Sequence, residues 1–204
     1  MAGSDVTAVI ITDEVALDAN GISVAASVGN NAALTIGGAL ADGGSVINAS
    51  ARQVTILSAG NDSSKSFNIV GTDVNGAALT ENLTGANAGT ATSSGYFKTI
   101  ASITAVGNPA GNVSAGINNN ALGVVFAGRT RLQGFSFVSG GTAGTANLRD
   151  TGATGTEVIQ FRSTGTDSQS DGARGFPDEG ILFKDGCFVT FIVGTIDLMM
   201  FYHA

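Results

Sequence analysis

Bulky apolar side chains recur along this chain every two residues, the period of a half-buried β-strand. In Arg52–Ser58 the residues Val54 and Ile56 fall on one face, and in Ser66–Val70 Phe67 and Ile69 do the same. Between these runs, Ala59-Gly60-Asn61-Asp62-Ser63-Ser64 is dense in turn formers. The next turn, Gly71-Thr72-Asp73-Val74-Asn75-Gly76, ends in Asn-Gly. That pair is preferred in a type I′ hairpin because both of its residues tolerate positive φ. A strand over Ala77–Leu83 follows. Tyr96–Val106 is long and β-rich, and its apolar residues change parity partway, which predicts a bulge. No amphipathic helix longer than two turns can be drawn anywhere. The pattern predicts an all-β chain.

Residues 107–121, GNPAGNVSAGINNNA, hold no bulky core candidate except Val113 and Ile117 and read as a linker. Beyond them the texture changes, for nine of the eleven Phe lie between Phe126 and Phe201. Strands are expected at Leu122–Phe126, Arg129–Val138, Glu157–Arg162, Ile181–Phe183, Phe188–Val193 and Ile196–Tyr202. Asp185-Gly186 and Gly194-Thr195 supply tight turns. Short strands with Gly-rich turns at this spacing point to two small sandwich or jelly-roll-like modules, residues 51–106 and 122–204. Residues 1–50 have no aromatic and no basic side chain. Ordering each residue costs about 1–2 kcal/mol, against about 1.5–3 kcal/mol for each large aliphatic side chain buried. A segment this rich in Gly and Ala therefore needs a surface to add to. It is either an extended arm completed by another subunit or a partner, or the source of outer strands for the first module.

Composition narrows the function classes. Charged residues make up 12% of the chain and the net charge is −7, about half the usual charged share of roughly 25%. No basic stripe exists to displace counterions from phosphate, which argues against a nucleic-acid partner. The most apolar stretch, Cys187–Tyr202, is broken by Thr190, Gly194, Thr195 and Asp197, too short and interrupted for a membrane helix. No basic residue precedes Arg52, so no secretory signal is expected. Without such a signal, the sequons at Asn48, Asn61, Asn82 and Asn112 imply no glycans. Cys187 stands alone between apolar neighbours and reads as a buried small hydrophobe.

Catalytic constellations are sparse. The one histidine, His203, is next to the end of the sequence, a poor place for a general base. One Cys and one His exclude a Cys/His zinc site. Asp13/Glu14 and Asp178/Glu179 are the only adjacent acid pairs. Asp73-Val74-Asn75-Gly76 resembles the start of a calcium loop without its later ligands. Thr164–Gly172 could wrap a cation through Asp167 and Asp171, although a surface loop of this composition explains it as well. No enzyme activity, cofactor or metal is therefore expected. Two surface features remain as candidate subunit or capsid contacts. Arg129 and Arg131 share one face of an expected strand, and Met199 and Phe201 lie in a terminal run that is apolar on both faces.

The segment Val54–Thr104 carries an SAGNDS turn, an FNIVGTDVNG hairpin, a TENLTG strand and a YFKTIASIT strand. This order resembles a module of virion structural proteins of tailed bacteriophages, marine ones especially, and FPDEGILFKDGCFVTF resembles a second phage module. The resemblance implies a virion component without catalytic residues: a capsid decoration (cement) protein, assembled in the host cytoplasm, touching the major capsid protein and its own copies as a homotrimer. Alternatives are a tail, neck or fibre-associated part, or an adhesin for host glycans.

Overall fold

The computed structural model describes residues 6–12, 17–139, 141–163, 165, 170–176, 179–193 and 196–203. Among these residues the fold is all-β and divides into two compact units, Val15–Asn119 and Met1–Glu14 with Asn120–Ala204. The strands in chain order are β1 (Thr7–Ile11), β2 (Asp18–Ala26), β3 (Ala41–Asp42), β4 (Ser45–Ser58), β5 (Ser66–Thr72), β6 (Ala78–Thr84), β7 (Thr90–Val106) and β8 (Val113–Phe126). They continue with β9 (Thr130–Ser139), β10 (Gly144–Asp150), β11 (Glu157–Ser163), β12 (Ser170–Gly175), β13 (Ile181–Phe183), β14 (Cys187–Val193) and β15 (Ile196–His203).

In the Val15–Asn119 unit one antiparallel sheet runs β8-β4-β7-β5-β6, with β2 on β8 and β3 on β4. Its two long strands do not stay in register. Between the pairs Ile47↔Thr99 and Arg52↔Phe97, β4 carries three residues more than β7; between Gln53↔Tyr96 and Thr55↔Thr92, the excess of two is on β7. Bulges free backbone groups, and a buried group without a partner is costly. Side chains meet that need here. At the first bulge Asn48 Nδ2 donates to the Phe97 carbonyl (2.9 Å) and Lys98 Nζ to that of Ala49 (2.6 Å). At the second, the Val54 N–H donates to Ser93 Oγ (2.8 Å), while Gln53 Nε2 donates to the Ser93 carbonyl (2.8 Å). Glu81, from β6, accepts the Ser94 and Gly95 N–H groups, both at 2.8 Å.

The parity change expected in Tyr96–Val106 is present. Val70 pairs with Ser102 and Gly71 with Ile100, which leaves Ala101 as the extra residue. Ile100, Ile103 and Ala105 consequently all point into a core that also holds Phe97, Phe67, Ile69, Val54 and Ile56. The segment between β2 and β3 closes this core: Leu34 is buried, and its N–H donates to the Ile103 carbonyl (2.8 Å).

The second unit is a two-sheet sandwich. One sheet is β1-β15-β9-β12 with β13 also on β9; the other joins β14 to the end of β8, then β10 and β11. Leu132, Phe135, Leu198 and Met200 from the first sheet pack with Leu148, Phe161, Val189 and Phe191 from the second. Phe135 and Phe161 meet edge to face with centroids 4.5 Å apart, a favoured aromatic geometry.

Several expectations are corrected. The stretch 107–121 is not a linker, since β8 starts at Val113 and the unit boundary falls within that strand. Its side chains are small because the neighbouring backbone is close: a Cβ on Gly116 would collide with the Asp18 carbonyl. Residues 1–50 do not form one arm. β1 belongs to the C-terminal sandwich, whereas β2, β3 and the start of β4 build the first module. The Asp73–Gly76 hairpin forms, but Thr72 pairs with Ala78 around a five-residue loop, and only Gly76 there has positive φ. It is not type I′, because the Asp73 carboxylate organises the loop by accepting the N–H groups of Asn75 and Ala77, both at 2.9 Å. That also employs the first residue of the calcium-like motif. The Gly194-Thr195 turn lies outside the described residues.

Ser93→Ala is expected to leave the buried Val54 N–H unbonded and to lower unfolding free energy by about 1–3 kcal/mol, measured by urea denaturation. A loss within a few tenths of a kcal/mol would show that the bulge is satisfied in another way. Cys187 is fully buried, and desolvation, reinforced by the Asp150 carboxylate, pushes its thiol far above the ordinary range. Above pH about 8.5 the unfolded chain loses this proton while the folded chain keeps it, so stability falls as pH rises. Cys187→Ala should remove about 1.4 kcal/mol per pH unit of that slope, and the folded thiol should resist iodoacetamide.

Candidate interaction surface

The outward face of the β1-β15-β9 sheet gathers most of the residues singled out from the sequence. Strand alternation decides which ones face out: Ile196, Leu198 and Met200 of β15 are buried, leaving Asp197, Met199 and Phe201 on the other face. Register places Ile10 beside Met199 and Met199 beside Ser136; one row along, Ala8 lies beside Phe201 and Phe201 beside Gly134. Ile10 is 63% exposed, Val6 50% and Met199 37%. These side chains make a neighbouring apolar group, unlike exposed residues scattered singly over a surface.

A bulge shapes this face. Phe201 pairs with Gly134 and Tyr202 with Leu132, so Gln133 is the extra residue of β9. Gly134 in turn pairs with Gly175 of β12. A groove of about 380 Å³ lies beside these glycines, lined by Val6, Gln133, Gly134, Arg174, Gly175 and Phe201 among others.

The two candidate arginines separate. Arg129 is exposed in the turn before β9 and does not share a strand face with Arg131. Arg131 is in β9, where its guanidinium binds Glu179 of the same chain through the carboxylate (3.0 Å) and the backbone carbonyl (3.3 Å). Gln133 Nε2 donates to that carbonyl as well (3.2 Å). The sequence offered Arg131 as a contact for an acidic residue of another subunit, but this pairing already engages it. Met199 and Phe201, in contrast, do share the outward face.

Sequence reasoning missed Val6 and Ile10. Their alternation with Val9 and Ile11 was the available signal, in a segment judged by its lack of aromatic and basic residues. His203 lies in β15 opposite Arg131, and its carbonyl accepts a hydrogen bond from Thr130 Oγ1 (2.8 Å). Asp62 is buried, with Oδ1 accepting the Ala110 N–H (2.7 Å) and Oδ2 without a partner. Among the described residues no three His, Cys, Asp or Glu come together as a metal site. Asp13, Glu14, Asp167 and Asp178 lie outside the described residues, as does the side chain of Asp171. Among the described residues no helix is long and apolar enough to cross a membrane. Comparison with protein families, curated proteins and solved structures gives no match to this chain.

The Arg131–Glu179 pair is half-open to solvent, with side chains 30% and 79% exposed. Exposed pairs of this kind couple by about 0.2–1 kcal/mol. A double-mutant cycle with Arg131→Ala and Glu179→Ala, read by urea denaturation, should give that range. Coupling of several kcal/mol would instead make the pair a structural anchor.

Proposed function

We propose that this chain is a structural component of a tailed-bacteriophage virion, acting as a decoration (cement) protein on the head surface and in contact with the major capsid protein. The observation that carries the reading is the run of phage-like motifs over Val54–Thr104. Those residues are also one continuous piece of the fold. The SAGNDS turn joins β4 to β5, the GTDVNG hairpin joins β5 to β6, and Glu81 of the TENLTG strand holds the bulge of β7. The exposed apolar group around Ile10, Met199 and Phe201 supports the same reading, since a protein that works by surface contact needs such a face. Many shallow contacts repeated over a lattice give strong attachment without one deep pocket.

The test is the copy number of this chain in purified particles of the phage that encodes it, by quantitative mass spectrometry against the major capsid protein. A count comparable to that of capsid subunits is expected. A few copies per particle would overturn the head assignment in favour of the tail or neck. Absence from particles would overturn the virion reading itself.

A further inference from the structure

The sequence holds two Asn-Gly pairs, Asn20-Gly21 and Asn75-Gly76, and both stand in the pattern Asp-x-Asn-Gly, residues 18–21 and 73–76. An Asn followed by Gly is chemically fragile. The Gly nitrogen, with no side chain to shield it, attacks Cγ of the Asn, and a new C–N bond closes a five-membered succinimide. The Cγ–Nδ2 bond breaks, and the proton of the Gly N–H leaves with Nδ2 as ammonia. Water then opens the ring at one carbonyl or the other, so that the residue becomes aspartate or isoaspartate. Both asparagines are exposed to that water.

Ring closure has a geometric requirement, for the peptide unit between Asn and Gly must rotate until the Gly nitrogen faces Cγ. The structure restrains that unit at both pairs, and the aspartate two residues before the Asn takes part each time. Asp73 Oδ1 accepts the N–H groups of Asn75 and Ala77, both at 2.9 Å, and the Asp73 carbonyl accepts the attacking N–H of Gly76 (3.1 Å). Neither Val74 nor Asn75 has positive φ, so this is a type I turn, whose second central residue has ψ of about 0°. That angle turns the Gly76 nitrogen away from the Asn75 side chain. At the other pair, Asp18 Oδ1 accepts the Asn20 N–H (3.1 Å), and the second carboxylate oxygen lies where a Cβ on Gly21 would collide with it. Gly21 is buried, and its carbonyl accepts the Leu40 N–H (2.8 Å). A Cβ on Gly38 would strike the carbonyls of both Asn20 and Gly21, so packing pins this unit as well.

We propose that Asn20 and Asn75 are latent self-modification sites, held shut by Asp18 and Asp73, whose hydrogen bonds keep each Asn-Gly peptide out of the cyclising conformation. Deamidation is then confined to the moments when the local structure opens. Asn75 depends on its aspartate the more, because it stands at an exposed hairpin tip where only Asp73 organises the loop. Each event adds one negative charge, which at Asn75 arises beside the Asp73 carboxylate. The isoaspartate product also lengthens the main chain by one atom inside a five-residue loop. The proposal goes beyond the virion reading and does not depend on it.

The experiment follows the Asn-to-Asp mass change at each site by peptide mapping of the full chain, incubated at neutral pH, with the chain denatured in urea as reference. The folded chain is expected to keep both asparagines over a period in which the denatured chain deamidates at both. Asp73→Ala should speed the reaction at Asn75 about tenfold or more and leave Asn20 as slow as before. Asp73→Asn keeps an acceptor oxygen in the same place and should stay close to the wild-type rate. Circular dichroism fixes conditions in which each variant is folded. A folded wild type that deamidates as fast as the denatured chain overturns the proposal. So does a folded Asp73→Ala chain that is as protected at Asn75 as wild type, or one that loses protection equally at Asn20. An Asp73→Asn chain as fast as Asp73→Ala overturns it as well, since hydrogen bonding would then not be the restraint.

Discussion

The bulged ladder between β4 and β7 is the constraint on which the Val15–Asn119 unit depends. Extra residues on β4 at one place and on β7 at another turn a long two-stranded ribbon, so that one face of one sheet encloses the core. Bending of this kind disturbs the ladder, and the chain compensates with a few polar side chains held beside it. Asn48, Gln53, Ser93 and Glu81 each bond a backbone group at a bulge. Asn48 and Ser93 are buried, and they are there for the main chain rather than for a ligand. Arg52 follows the same logic at larger scale: it is 2% exposed and directs Nη1 to the carbonyls of Asn118 and Asn119.

Legibility in the sequence followed side-chain size. The strands with Phe, Ile and Val at alternate positions, such as β5, β11, β13 and β14, were readable to within a residue or two. So was a bulge within Tyr96–Val106, because Ile100 and Ile103 cannot share a face in a regular strand; the structure puts it at Ala101. What escaped were strands in which small residues sit among the buried positions: β2 with Gly21 and Ser23, the first half of β8 with Ser114, Ala115 and Gly116, and β10 with Gly144 and Ala146; the glycine-containing β12 escaped as well. Their pairing depends on how closely two backbones approach, and a Gly or Ala that permits this looks like a loop residue when read alone. The linker reading of 107–121 failed for that reason.

The candidate surface was half legible. The two-faced apolar run in β15 pointed to Met199 and Phe201, and alternation places both outward. Arg131 carried no sign of its neighbour, because Glu179 is 48 residues away and reaches it only through the pairing of β13 with β9. The importance of Ile10 depends on the topology that brings β1 to β15, which no local pattern specifies.

That same topology has a consequence for how the chain is made. Residues 15–119 are continuous and hold their own core, so they can fold during synthesis as soon as they emerge. β1 emerges before them, yet its only strand partner among the described residues, β15, is translated after every other strand described here. The loop that must close between them spans nearly the whole chain, a slow kind of contact to form. For the duration of translation an apolar, β-prone hexapeptide therefore travels with both of its edges open. Asp5, Asp13 and Glu14 bracket it in sequence, where acidic gatekeepers keep a nascent strand from aggregating with its neighbours on the same message.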